Sequence, residues 1–346
     1  MRIIHCADIH LDSALTTHLD KDKARSRRKE ILDTFRRMLV YASDNDVQAV
    51  IIAGDLFDSE TVSASTVNTV LGEIARHGEM EVYYLRGNHD PGKSIFAGRN
   101  IPKNLHMFED HWTYYRVNDM EDGRSDNREN YEDCNIVIAG TELTSDNRNR
   151  IYDELSLRES DINIVTLHGQ EQEYGDAHVA EEICLDKLKD REIDYLALGH
   201  IHKTKMETLD HRGIYVYPGC LEGRGFDECG EHGFVLIDID KTTRKINTEF
   251  IPFAYRRLYD VQVDITGSTD SQDAADMIAE KLYRDVSSRE TEQTRALVKI
   301  TLTGGLDVES DIDMEYLARQ FVDSFYYVKI ADKTELRVDP LKYIHD

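Results

Sequence analysis

Short runs of apolar, β-branched residues alternate along the chain with segments whose apolar positions recur every three or four residues. Residues 2–7 (RIIHCA) read as a strand. Over residues 24–43, Ile31, Leu32, Phe35, Met38, Leu39 and Ala42 fall at helical spacing and make one apolar stripe. Residues 47–53 (VQAVIIA) are almost wholly apolar, as a strand covered on both faces must be. A helix over 63–77 and a strand over 81–85 follow. Further strands are predicted over 112–117, 135–139, 162–167, 193–198, 214–217, 233–240 and 245–252. Residues 119–133 (DMEDGRSDNRENYED) are polar and acidic and read as a surface loop.

The pattern changes after Phe253. Strands over 258–265, 296–302 and 325–330, with helices over 270–285 and 310–324, make a compact β-α-β-α-β unit without a chemistry-bearing cluster. The boundary is placed near Ala254, giving domains of 1–253 and 254–346. A length of 346 residues agrees with two domains at about 150 residues each.

Composition narrows the class. With 40% hydrophobic residues, 32% charged residues and 5 Pro, the chain is neither disordered nor collagen-like. The longest apolar runs, such as 49–53, fall far short of the ~20 residues of a membrane span. The start, MRIIHCADIH, reaches charge too soon for a signal-peptide core. Five cysteines, an odd number with no CxxC pair, argue against a disulfide framework or a zinc knuckle and for a reducing cytoplasm. Cys220 and Cys229 read as incidental free thiols. The formal net charge of −25 is opposite to that of a protein holding nucleic acid by phosphate neutralisation alone. Either the partner is not nucleic acid, or bound cations and a local basic patch do the holding.

Five strand ends carry the candidate chemistry. The strands end in Asp8-Ile9-His10, Gly54-Asp55, Gly87-Asn88-His89-Asp90, His168-Gly169 and Gly199-His200-Ile201-His202. Sites in layered α/β proteins form beyond the carboxyl ends of strands, so five such ends converge if the strands lie side by side. Two carboxylates, one amide oxygen and four imidazoles make an O/N donor set suited to Mn²⁺, Fe²⁺ or Zn²⁺. The set lacks the thiolates of structural zinc sites and is too rich in imidazole for a Mg²⁺ or Ca²⁺ cage. Seven ligands suit two ions sharing a carboxylate, with His89 left over to meet a substrate. His5, His18, His77, His106, His111, His178, His211, His232 and His345 lie outside these clusters and read as ordinary structural or solvated side chains.

In this order, DxH, GD, GNHD, H and GHxH resemble the calcineurin-like metallophosphoesterase superfamily over about two thirds of the chain. Residues 53–67 (AGDLFDSETVSASTV) and 217–234 (YPGCLEGRGFDECGEHGF) resemble the SbcD-type DNA repair exonucleases, the second being similar to their YhaO-like bacterial branch. The resemblance implies an α/β (α+β) fold, a four-layer β-sandwich flanked by helices with a small capping domain. It implies one metal on Asp8, His10 and His202, another on Asn88, His168 and His200, Asp55 between them, and His89 as the catalytic histidine. Asp90 is expected to orient His89 or to cap the turn. Asp58 stands where archaeal and eukaryotic relatives often carry a second histidine. The ions implied are divalent, Mn²⁺ first, with Fe, Zn or Mg as alternatives.

The activity implied is two-metal phosphodiester hydrolysis on DNA, as an exo- or endonuclease of DNA repair. The alternative is a phosphodiesterase or pyrophosphatase for a small nucleotide-like molecule, because the same centre serves both. The partners implied are DNA, an SbcC-type ABC ATPase and a second copy of the chain, with no membrane. The sequence ends at Asp346, close to the last predicted strand, and no segment of it is assigned to ATPase docking. The DNA reading needs cations around the site mouth, and the available ones are the basic run 21–29 (KDKARSRRK), Arg86 and Arg224. By itself the run reads as a solvated helix start. Trp112, Tyr114 and Tyr115 read as core strand rather than a base-stacking platform.

Overall fold

A computed structural model describes residues 1–15, 19–58, 62–117, 134–172, 181–287 and 296–337. The acidic loop 119–133 and His18, His178 and His345 lie outside the described residues. Packing divides the chain into two units, Met1–Glu222 with His232–Ala254, and Gly223–Glu231 with Tyr255–Asp346.

In the first unit, β1 (Arg2–Cys6), β2 (Val47–Ala53), β3 (Glu81–Leu85) and β4 (Leu105–Met107) alternate with α1 (Lys21–Asp44) and α2 (Ala64–Arg76). Then come β5 (Thr113–Val117), β6 (Ile136–Gly140), the four-residue α3 (Ile151–Glu154), β7 (Ile162–His168), β8 (Gln170–Gln172) and β9 (Glu182–Cys184). The unit closes with β10 (Tyr195–Gly199), β11 (Lys205–Thr208), β12 (Ile214–Tyr217), β13 (Gly233–Asp240) and β14 (Lys245–Pro252). One six-stranded sheet has the order β14-β13-β1-β2-β3-β4 and the other β11-β12-β10-β7-β6-β5. Within them β1, β2, β3 and β4 run parallel, as do β12, β10, β7 and β6.

The side-chain period of two explains the layers. Ile3, Ala49, Ile51, Tyr83 and Leu85 meet Ile138, Ile164, Tyr195, Ala197 and Val216 between the two sheets. The alternate residues Ile4, Cys6, Val50 and Ile52 face the other way, onto Ile31, Phe35, Met38 and Leu39 of α1 and Val67, Val70 and Ile74 of α2. The outer face of the second sheet, with Val165, Leu167, Leu196 and Leu198, is covered by Ile151 and Tyr152 of α3 and by loops. Two sheets with flanking helices are the α/β architecture the resemblance implied, with one thin outer layer. No helix among the described residues is long and apolar enough to cross a membrane.

In the second unit, β15 (Leu258–Asp264), β16 (Leu297–Thr303) and, after the short β17 (Gly305–Asp307), β18 (Tyr327–Asp332) form a parallel sheet in the order β15-β16-β18. The helices α4 (Ser271–Leu282) and α5 (Met314–Phe321) pack their apolar faces on it, and β19 (Glu335–Arg337) pairs with β17. The helix predicted over 310–324 is shorter because Asp313 caps it, accepting from the backbone of Glu315 and Tyr316. The following strand starts two residues later than predicted. β4, β8, β9, β11, β17 and β19 were not predicted. They are three or four residues long, too short to display a period.

Candidate metal centre

The carboxyl ends of β1, β2, β3, β7 and β10 lie together. The loops after β1 and β2 are zipped by backbone bonds, Asp8 to the Gly54 carbonyl at 3.1 Å and His10 to the Asp55 carbonyl at 2.9 Å. Asp8, His10, Asp55 and His200 all have left-handed backbone, with φ of 52°, 49°, 52° and 97°. Such conformations cost of order 1–3 kcal/mol each for non-glycine residues and persist where the surroundings over-determine them. They aim four side chains inward that an extended chain would send elsewhere. Gly87 is required by space: a Cβ there would stand 2.2 Å from Asp55 Oδ1.

All seven sequence-predicted metal-ligand residues fall in this pocket. Asp8, His10 and His202 bring ligand atoms within 4.8 Å of one another, and so do Asp8, Asp55 and His168. Asp55 Oδ2 lies 3.5 Å from His10 Nε2 and 3.3 Å from His168 Nε2, so one oxygen faces both groups. Asn88 Oδ1 lies 3.0 Å from His168 Nε2 and 3.2 Å from His200 Nδ1. The amide of His200 donates to both oxygens of Asp8 at 3.0 Å. Asp8, His10, Asp55 and His168 are buried, whereas Asn88 and His89 are exposed.

Electrostatics follow from burial and proximity. Burial pushes the Asp8 carboxyl up to about 6, against the pull of His168 and His202. Burial pushes Asp55 upward too, but the hydrogen bond and charge of His168, with His10 and the His89 amide, hold it well below the ordinary carboxylate range. Burial lowers His168, and the Asp55 contact overcomes it, raising the imidazole to about 9.

The donor set suits divalent cations. His10 Nε2 and His202 Nε2 face each other at 3.2 Å, an approach of two ring nitrogens that needs a proton or a cation to hold it. The Ala53 carbonyl lies 2.9 Å from His168 Nδ1, so a proton there is bound by the backbone while Nε2 faces Asp55 and Asn88. Hard oxygens mixed with imidazoles are the ligands that Mn²⁺, Fe²⁺ and Zn²⁺ accept. Another grouping, Asp190, Asp210 and His211, lies at the surface. There Asp210 accepts from the backbone of Asp190, Arg212 and Gly213 and serves as a loop cap.

His89 stands beside the cluster. Its backbone amide donates to Asp55 Oδ1 at 2.9 Å, and its ring meets that of His10 edge-on at 5.0 Å between centroids. The turn-capping expectation for Asp90 is the one its contacts fit: its carboxylate accepts from Gly87 and Phe57 at 2.8 Å and from Leu56 at 3.3 Å. It thereby ties the β3 loop to the β2 loop.

Three of the cations expected at the mouth are held by carboxylates. Arg86 donates to both carboxylate oxygens of Glu142. Arg27, inside the basic run, is buried against Glu30 and Glu222. Arg224 belongs to the second unit and pairs with Glu228. Glu142 was missed because its strand end, Thr141-Glu142 after β6, holds no histidine; the acidic residue directly following a buried strand was the available signal. A cavity of about 140 Å³ beside the cluster is lined by Arg86, Asn88, Glu142, His168 and Glu181 among others.

Residues 1–204 match the sequence profile of the calcineurin-like phosphoesterases. The chain belongs to that family. It is similar to the uncharacterized metallophosphoesterase YhaO of Bacillus subtilis, with 26% identity over 278 residues, 77% of this chain and 64% of YhaO. It is 25% identical over 293 residues to the DNA double-strand break repair protein Mre11 of Methanopyrus kandleri, covering 77% of this chain and 60% of that one. The D component of the nuclease SbcCD of Bacillus subtilis matches at 30% over 93 residues, 26% of this chain and 22% of that protein. The chain therefore spans less than two thirds of the length of each.

Proposed function

We propose that this calcineurin-like phosphoesterase is a two-metal phosphodiesterase that cleaves DNA, as a nuclease of DNA repair. In this reading Asp8, His10 and His202 hold one ion and Asn88, His168 and His200 the other, with Asp55 as the bridge. Mn²⁺ is the expected metal. The observation that carries the reading is the single Asp55 oxygen 3.5 Å from His10 and 3.3 Å from His168, one residue from each proposed set. Two divalent ions held by these residues would supply hydroxide from water near neutral pH and offset the charge on the phosphate oxygens.

The chain's own groups then have definite tasks. The His89 amide fixes the Asp55 carboxylate from the side away from the imidazoles, which keeps Oδ2 directed between them. His168 is oriented by the Ala53 carbonyl. The His89 ring, exposed and outside both ligand sets, gives a proton or hydrogen bond to the departing oxygen. Asp90, through three backbone amides, holds the loop that presents it. The unit containing Tyr255–Asp346 takes the part of a capping domain, and an SbcC-type ATPase and a second copy are the protein partners this reading expects.

One observation supports DNA as substrate. Relatives are named for DNA double-strand break repair and as part of a nuclease. The alternative, a phosphodiesterase or pyrophosphatase for a small nucleotide-like molecule, is favoured by the neutralised Arg86 beside the cluster and the net charge of −25.

The two separate in one assay. Mn²⁺-loaded protein is given linear DNA, bis-p-nitrophenyl phosphate and small nucleotides across a salt series. The expected result is DNA cleavage that weakens with salt, log K falling by ~0.9 per phosphate contact per log unit. Salt-insensitive hydrolysis of the small phosphodiester with DNA left intact overturns the DNA reading. No hydrolysis of any substrate overturns the phosphodiesterase.

A further inference from the structure

The first unit buries an ion pair that the chemistry above does not use. Arg27, on the inner face of α1, has a side chain 2% exposed, and Glu222 one that is 0% exposed. Arg27 Nη2 donates to Glu222 Oε2 at 3.0 Å, and its Nη1 donates to Glu30 at 2.8 Å. Thr34, two turns along the same helix face, donates to Glu222 Oε1 at 2.6 Å. Removing two charges from water is expensive, and apolar residues of similar volume often stabilise a fold as well or better. Stability alone gives little reason for the pair, and its position suggests another.

Glu222 ends a strap, residues 218–222, that lies under the metal centre. Two residues before it, the Cys220 amide donates to the His202 carbonyl at 3.3 Å, and Cys220 forms an isolated β-bridge with Ala7, the residue before Asp8. Thr204, two residues past His202, donates to the Pro218 carbonyl at 2.9 Å. Gly219 has φ of +78°, and a Cβ on it would stand 3.0 Å from the His202 carbonyl. Leu221 is fully buried in the core shared with Leu11, Ile31 and Phe35. The strap thus touches both chain segments that supply Asp8 and His202, and its far end is fixed where it reaches α1 through Arg27 and Thr34 and the core through Leu221. Cys220 Sγ, 3.2 Å from His232 Nδ1, adds a tie at the point where the chain returns to this unit.

We infer that Arg27, Glu222 and Thr34 are positioning residues that set His202 against Asp8 and His10, and so tune the affinity of one of the two metal sites. This rests on the two-ion reading proposed above. Residues that act on a metal through its ligands typically change affinity by about 10–100-fold.

The test is a Mn²⁺ binding isotherm, read together with the thermal midpoint, for the wild-type chain, His202→Ala and the double variant Arg27→Met/Glu222→Leu. The double variant is expected to keep a midpoint near or above wild type. It should weaken by about 10–100-fold the same ion that His202→Ala removes, and leave the other within about threefold. An unchanged isotherm overturns the inference, and so does equal weakening of both ions with a lower midpoint, which is what a merely structural pair would give. If the double variant does not fold, Thr34→Val removes one hydroxyl only. A severalfold loss confined to the same ion supports the inference, and no loss overturns it. Wild-type protein that binds fewer than two ions overturns the two-ion reading itself, and this inference with it.

Discussion

Asp55→Asn is expected to leave the chain with fewer than two bound ions and to lower phosphodiester turnover by about 10³-fold or more, equivalent to roughly 4 kcal/mol of transition-state stabilisation. The expectation comes from one carboxylate with three demands on it. Oδ2 faces His10 and His168, Oδ1 accepts from the His89 amide, and burial is overcome by its neighbours so that it stays ionised. Asparagine keeps one acceptor oxygen but loses the negative charge and the second oxygen, which weakens the hold on both proposed ions at once. Metal content by mass spectrometry and turnover on bis-p-nitrophenyl phosphate are the readouts. Two ions retained at wild-type affinity would remove Asp55 from the bridging position.

His89→Gln is expected to separate binding from chemistry. Its ring lies outside both groups of converging ligand atoms and is exposed, and only its backbone amide is tied to Asp55. Losing the side chain should therefore lower turnover by about 10²–10⁴-fold, the usual contribution of a positioned general acid, while metal content and fold stay as they are. A substrate with a good leaving group should suffer less than DNA, because less proton transfer is required of the enzyme. Metal loss equal to that of Asp55→Asn would make His89 a ligand, and the division of roles would have to be redrawn.

The parts of this site that were legible in the sequence share one property: each is a short polar cluster directly after a buried strand. The strands Val47–Ala53 and Ile162–His168 are buried almost throughout and mainly apolar because both faces are covered, and the polar residues at their ends, Asp55 and His168, stand out against that background. Convergence of the five ends follows from parallel strands in two facing sheets, which periodicity implies only as a class. What stayed illegible was set by partners far apart in the chain. The run 21–29 reads as a solvated helix start, and its other basic residues agree with that, yet Arg27 points inward to a glutamate 195 positions away. Arg86 looks like a free cation beside the GNHD cluster until Glu142, 56 positions on, is seen to occupy its guanidinium. Charge counted along a sequence does not show which charges the fold will neutralise. The short strands β8, β9 and β11 escaped notice for a different reason, since three or four residues give a period of two too little room to show.

A pair of ions sharing Asp55 would be seen by anomalous diffraction from crystals grown with saturating Mn²⁺. Two peaks per chain ~3.5–4 Å apart are expected. One should be ligated by Asp8, His10 and His202, the other by Asn88, His168 and His200, with Asp55 contacting both. A single peak at saturation, or two peaks that do not share Asp55, would contradict it.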